Sequence, residues 1–226
     1  MIDYGLSGKV ALVTGAGGGI GRAAALVFAR SGAAVMVSDV IEDGGKETVA
    51  LIEAAGGKAA FHRCDVSRAD EVKALIAATV SVLGGLDCAF NNAGINRVTD
   101  DQYDDEIWAR DIGVNLTGVM MCMREESAVM LQRGGGAIVN TASINGLVGN
   151  GAQPAYTAAN HGVVGLTRHG ALRWAQAGIR VNAISPGEID TSILSPGTEK
   201  IVREQIPMRR LGRPEEVAQA IYFLCT

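Results

Sequence analysis

The sequence predicts an α/β fold of the Rossmann-like, doubly wound kind: a parallel sheet with helices on both faces. Three observations predict it. Short apolar runs alternate with helix-like segments along the whole chain, which is the pattern of successive βαβ units. The runs are continuously apolar rather than alternating, as strands buried on both faces are. The first run, ending at Thr14, feeds a Gly-rich stretch that opens onto a helix, where free N–H groups favour an anion.

The elements follow in order. Residues 10–14 (VALVT) form the first strand and 15–21 the Gly-rich turn. A helix over 22–31 is stopped by Gly32, a residue suited to helix ends. The second strand spans 34–38 and closes at Asp39; a helix over 44–55 stops at Gly56-Gly57; the third strand spans 59–64. Ser67 is the expected N-cap of a helix running to Leu83, with Glu71 in its first turn. The fourth strand, 86–90, ends in Asn91-Asn92-Ala93-Gly94, and a long helical region covers about 104–132. The fifth strand spans 137–141, a helix 156–177, and the sixth strand 179–184, ended by Pro186-Gly187. After a loop containing Pro196-Gly197, a last helix spans 214–224 with Pro214 in the favoured first turn. No repeat, low-complexity tract or linker divides the chain, so residues 1–226 read as a single domain.

Composition narrows the function. With 48% hydrophobic and 19% charged residues, the chain is expected to bury a core without staples. The 30 glycines and few aromatics indicate close packing of small side chains. A net charge of −4 with no basic block argues against nucleic acid. Cys64, Cys88, Cys122 and Cys225 form no C-x-x-C pair and read as small buried hydrophobes in a reducing compartment. Asp3 interrupts any leader-like start, and no apolar run reaches the ~20 residues of a membrane span. A cytoplasmic protein with no membrane partner and no metal is expected.

In the turn Thr14-Gly15-Ala16-Gly17-Gly18-Gly19-Ile20-Gly21, one Gly lets the chain reverse, another admits a pyrophosphate close to backbone, and a third packs helix on strand. Asp39 ends the next strand, where a carboxylate accepts hydrogen bonds from the adenosine ribose hydroxyls and repels a 2′-phosphate. Neither residues 16–18 nor Val40 offers a cation for that phosphate, so NAD is expected rather than NADP.

With these residues in place, the chain resembles the classical short-chain dehydrogenase/reductase family over nearly its whole length. The turn has that family's T-G-x-x-x-G-x-G spacing, Asn91-Asn92-Ala93-Gly94 looks like its N-N-A-G segment, and Asn115, Ser143 and Tyr156 match its catalytic positions in order. Pro186-Gly187-Glu188-Ile189-Asp190-Thr191 looks like its nicotinamide segment. The resemblance implies that Gly15, Gly19, Ile20 and Gly21 hold the pyrophosphate side, that Asp65 and Val66 flank the adenine, and that Asn92 and Gly94 line the adenosine ribose side. It implies that Ile189 and Thr191 hold the carboxamide. It also implies Tyr156 as acid/base, Ser143 as hydrogen-bond donor to the substrate oxygen, and Asn115 as holder of a relay water. A homo-oligomer, dimer or tetramer, is implied, with the helices around Asn115 and Tyr156 as its interface.

The sequence departs from that family twice. The family's Tyr-x-x-x-Lys reads Tyr156-Thr-Ala-Ala-Asn160 here. Asn160 stays on the same helix face as Tyr156 and can reach the nicotinamide ribose, but it supplies no positive charge. A tyrosine has a pKa of ~10 unperturbed, so weaker activity near neutral pH is expected. The sequence also stops at Cys225-Thr226, where the family continues into a seventh strand, so six strands with an exposed edge are expected. The expected function is hydride transfer between NAD(H) and a small secondary alcohol or ketone. The alternative is a catalytically silent NAD(H)-binding sensor or scaffold. Ile95, Asn145, Gln153, Glu188 and residues 189–205 are the expected substrate-pocket lining, which selects no single alcohol.

Overall fold

The computed structural model describes residues 5–96, 103–194 and 198–226, with backbone alone at 198 and 199. Pro196 and Gly197 lie outside the described residues. In chain order the elements are β1 (Val10–Thr14), α1 (Gly19–Arg30), β2 (Ala34–Asp39), α2 (Glu42–Ala54), β3 (Lys58–Arg63), α3 (Ala69–Leu83) and β4 (Cys88–Asn91). There follow α4 (Asp105–Ile112), α5 (Val119–Arg133), β5 (Gly136–Thr141), α6 (Pro154–Trp174), β6 (Ile179–Ile184), α7 (Thr198–Glu204) and α8 (Pro214–Cys225). The strands form one sheet in the order β3-β2-β1-β4-β5-β6, every pair parallel. The strand order reverses between β1 and β4, the crevice where such sheets bind ligands.

Successive residues of β1 serve opposite faces, as the strand period requires. Ala11 and Val13 join a cluster with Phe28 of α1 and Ile221 of α8. Leu12 joins the other, with Leu75 of α3, Met130 of α5 and Val163 of α6. Ala23, Ala24 and Ala25 are all buried in α1, so small side chains do bring this helix close to its neighbours. The four cysteines are free and buried. No described helix is long and apolar enough to cross a membrane.

Four sequence expectations need correction. Helix α1 starts at Gly19, because the extended Gly18 already turns the chain into the helix without a side-chain cap. Ser67 is not the cap of α3; Arg68 holds that position, and the Ser67 hydroxyl donates instead to Asp65 Oδ1 at 2.6 Å. The long helix is broken by a π-helical stretch, Gly113–Gly118, between α4 and α5. Helix α7 adds a short element within the segment read as loop.

Behind the crevice lies a buried polar chain. Asn91 Nδ2 donates to Glu126 Oε2 and to Asn140 Oδ1, each at 3.0 Å. Asn140 Nδ2 donates in turn to Thr167 Oγ1 at 3.0 Å. Burial pushes the Glu126 carboxyl up to about 8, against the opposing pull of the Asn91 hydrogen bond.

Candidate active site

A cavity of about 1110 Å³ opens across the C-terminal ends of all six strands, from Gly15 and Asp39 at one end to Tyr156 and Thr191 at the other. Its first half is built by the Gly-rich turn. Gly15 and Gly19 have φ of +62° and +50°, which L side chains rarely adopt. A Cβ on Gly15 would sit 2.8 Å from the Ala93 Cα. The carbonyls of the turn are held from outside the cavity: Thr48 Oγ1 donates to Ala16 O at 2.7 Å and Arg22 to Gly17 O at 2.6 Å. The uncapped start of α1 carries no acidic residue in its first turn, so its amides and dipole are free to favour an anion. Gly21 lies beneath, where an added Cβ would collide with the Gly15 carbonyl and come within 2.7 Å of Asn92 Nδ2. It is the glycine that packs helix on strand.

Asp39 is fixed by the backbone. Its Oδ2 accepts from Gly17 N–H at 2.8 Å and its Oδ1 from Ile41 N–H at 2.9 Å. The spare lone pairs of such a carboxylate remain for hydroxyl donors. Two arginines that the sequence reading did not weigh stand nearby. Arg22 pairs with Glu47 and Arg63 with Glu71, so each is spent on a glutamate. Asp65 turns its carboxylate to Ser67; burial works against ionisation, but the Ser67 hydroxyl and amide and the neighbouring arginines hold it below the usual range. Val66 is buried against Gly118, where a Cβ would meet Val66 Cγ2 at 2.9 Å. Asn92 is a brace as well as a wall. Its Nδ2 donates to Thr14 O and Gly15 O at 3.3 and 3.2 Å.

The second half brings together Ser143, Tyr156, Asn160, Asn115 and Thr191. Ser143 sits just past β5 and caps a short 3-10 turn, Ile144–Gly146. Tyr156 lies in the first turn of α6, which Pro154 opens. Burial raises the Tyr156 phenol; hydrogen bonds from Ser143 and Asn160 oppose that, and the charges of Glu188 and Asp111 add to it. Asn160, 4% exposed, also donates Nδ2 to the Tyr156 carbonyl at 2.8 Å. Asn115 lies in the π-helical stretch and clasps Ile95 in both directions, accepting from its N–H and donating to its carbonyl at 2.8 Å each. Gly94 packs on that amide, a Cβ there being 3.2 Å from Asn115 Oδ1. Beyond β6, Asp190 N–H donates to Gly212 O and Gly212 N–H to Glu188 O at 2.9 and 3.0 Å, which seats Ile189. The Thr191 methyl then lies against Gly19, 3.0 Å from where a Cβ would be.

The cavity therefore gathers the predicted catalytic and cofactor residues except Gly21, which supports it from below; of the stretch 189–205 it takes Ile189, residues 191–194 and Ile201. Among the described residues no cluster of metal-binding side chains occurs. The residues present fit a dinucleotide: close-approach glycines, an uncapped helix start and a fixed acid lie in sequence along one cavity.

Residues 15–226 match the family described as enoyl-(acyl carrier protein) reductase. A cyclohexanol dehydrogenase of Acinetobacter sp. (strain SE19) is 45% identical over 218 residues, 96% of this chain and 87% of that protein. A 2,5-dichloro-2,5-cyclohexadiene-1,4-diol dehydrogenase of Sphingobium indicum is 42% identical over 228 residues, covering 97% and 90%. Among solved structures, levodione reductase superposes with a TM-score of 0.92 at 34% identity, covering 97% of this chain and 91% of that one.

Proposed function

The chain belongs to the short-chain dehydrogenase/reductase family and is an oxidoreductase of CH–OH groups, and from that premise we propose that it transfers hydride between NAD(H) and a secondary ring alcohol or its ketone. The family uses NAD(P) in general. The choice of NAD is supported by Asp39, fixed by the Gly17 and Ile41 amides, and by the engagement of Arg22 and Arg63 with glutamates. A 2′-phosphate would meet a carboxylate, and the two guanidiniums beside Asp39 are already paired with glutamates. The ring alcohol is suggested by the relatives' substrates and by the apolar side chains of Ile95, Ile189 and Ile193 along the cavity.

NAD, when bound, supplies the hydride acceptor. The rest is work for the chain's own residues. Gly15, Gly19 and Ile20 would cradle the pyrophosphate; Asp65, Val66 and Gly94 would border the adenosine; Ile189 and Thr191 would border the nicotinamide. Tyr156 would take the hydroxyl proton in oxidation and return it in reduction. Ser143 would donate a hydrogen bond to the oxygen as its charge develops. Asn115 would fix Ile95, and Asn160 would hold the ribose side while hydrogen-bonding the phenol. The observation that carries the reading is that Ser143, Tyr156 and Asn160 line the same cavity as the Gly-rich turn and Asp39.

We also place the enzyme in the cytoplasm as a homo-oligomer. Leu172 of α6 is 85% exposed and Leu131 of α5 47%, and pairing through those helices would cover them; sedimentation velocity tests it. The functional test is fluorescence titration with NADH and NADPH, then cyclohexanol oxidation by the native chain and by Tyr156→Phe. Expected are tighter NADH binding and a 10²–10⁴-fold loss in the variant, the range for removing a general acid–base group. Equal turnover by Tyr156→Phe would refute the assignment.

A further inference from the structure

We infer that a cluster of carboxamides on the substrate side of the cavity selects ring alcohols or ketones bearing a second, uncharged oxygen across the ring from the reacting one. The inference rests on the proposed roles of Tyr156 and Ser143. Gln153, nine-tenths buried, is the hub. Its Oε1 accepts from Asn145 Nδ2 at 3.1 Å and from Asn150 Nδ2 at 3.2 Å, and its Nε2 donates to Asn96 Oδ1 at 2.9 Å. All four side chains belong to cavity-lining residues.

The cluster is tied to the chemical centre through two elements. Asn145 follows Ser143 in the 3-10 turn that Ser143 caps. Gln153 is the residue before α6, three positions ahead of Tyr156. Gln153 itself is off the helix (φ −147°, ψ 69°), yet it and Tyr156 line the same cavity, so the carboxamides offer a second polar contact apart from the phenol.

The hydrogen-bond inventory leaves capacity for a ligand. A carboxamide has two N–H donors and a carbonyl acceptor with two lone pairs. The bonds above fill Gln153 Oε1 but leave one Nε2 hydrogen. Asn145 Oδ1 has no partner among the described residues. A spare donor on Gln153 and a spare acceptor on its hydrogen-bonded neighbour Asn145 suit a hydroxyl or a ketone. A carboxylate suits neither Asn145 Oδ1 nor Glu188, whose charge already acts on Tyr156. A site that hydrogen-bonds a substrate oxygen penalises the analogue lacking it, because buried polar groups are left unpaired.

The test compares kcat/KM for cyclohexane-1,4-diol, cyclohexanol and 4-hydroxycyclohexanecarboxylate, correcting for the diol's two equivalent hydroxyls. The diol should exceed cyclohexanol about tenfold, the scale of one well-made hydrogen bond, and the carboxylate should be the poorest. Gln153→Met should bring the diol-to-cyclohexanol ratio near unity through a raised KM for the diol. The Gln153 side chain makes no capping bond to α6, so the helix should survive; Asn145→Ala is the second variant, expected to shift the ratio the same way. A native ratio near one, a ratio that survives both variants, or a preferred carboxylate would overturn the inference and leave the dehydrogenase reading standing. A separate arm measures binding of cyclohexane-1,4-dione and cyclohexanone to the protein with NADH by saturation-transfer NMR. A Gln153-dependent preference for the dione without turnover of any alcohol would keep the inference and overturn the catalytic reading; binding of neither ketone would overturn both.

Discussion

Asn160→Lys should accelerate alcohol oxidation near neutral pH. Asn160 lies one turn beyond Tyr156 on α6, borders the cavity and is 4% exposed. The groups acting on the phenol are burial first, then Ser143, Asn160, Glu188 and Asp111. None of them is a cation. An ammonium ~5 Å from a phenolate, at an effective dielectric of ~20, is worth 332/(20 × 5), or ~3 kcal/mol. Burial of the ammonium opposes that gain; if about half survives, ~1.5 kcal/mol remains, roughly tenfold in phenolate at a fixed pH. The sign follows from the direction of the native shift. The phenol is raised, so the base form is scarce at neutral pH, and oxidation climbs as pH rises toward the phenol's pKa. Lysine moves that climb to lower pH. The gain is full below both pKa values and vanishes above them. The assay is kcat/KM for cyclohexanol oxidation across pH 6–10 with saturating NAD, with Asn160→Met as the uncharged control. An unchanged profile would refute the electrostatic account. So would a gain of equal size at both ends of the pH range, which would assign the lysine to cofactor binding instead.

Asp39→Ser should weaken NADH binding by about 10–100-fold, the scale of lost charge-assisted hydrogen bonds, while NADPH gains; parallel fluorescence titrations read both, and loss of both affinities alike would mean that the residue only shapes the Gly17 turn. Gly21→Ala should drive a methyl into the Gly15 carbonyl, costing about 1–3 kcal/mol for overpacking and about 2–12 °C in Tm for a domain of this size; an unshifted melt would contradict the close packing. Glu126→Gln should flatten the pH dependence of stability. The native carboxyl is raised to about 8, so its stabilisation is full below the unfolded pKa near 4.5 and drains away as pH rises to 8, by on the order of a few kcal/mol; thermal melts at pH 5 and 8 should differ less in the variant.

β1, β2, β4 and β5 were legible as apolar runs bounded by turn residues, whereas β3 (KAAFHR) and β6 (IRVNAI) are interrupted by polar side chains and β6 was marked by its flanking Gly178 and Pro186. Asn160 was legible as a missing charge, since i, i+4 spacing fixes its face without any tertiary information. Ser67 misled because a hydroxyl ahead of a helix looks like a cap, whereas Asp65 two residues earlier competes for it. The π-helical stretch left no mark in the pattern of apolar residues. Its sign was polar: Asn115 buried in mid-helix, which needs a backbone partner, here Ile95. The carboxamide cluster was only half visible. Asn145 and Gln153 were expected in the pocket, but the Gln153–Asn96 bond spans 57 positions, and no local spacing announces it.

These neutral side chains explain how the site keeps its shape without the usual cation. Asn92 braces the Gly-rich turn, Asn115 holds Ile95, and Asn160 bonds back to the carbonyl of Tyr156. Each carboxamide satisfies main-chain groups that burial would otherwise penalise. The nearby arginines act on the half of the cavity around Asp39 and Asp65: Arg22 on the Gly17 carbonyl, Arg63 on Glu71, and Arg63 and Arg110 electrostatically on Asp65. Replacing a lysine by Asn160 therefore removes charge from the chemical half while leaving its architecture hydrogen-bonded. Geometry and proton affinity become separable properties at Tyr156. A variant that restores only the charge should change the pH profile with little change in melting temperature, whereas one that removes the Asn115 clasp should change the fold around Ile95 first.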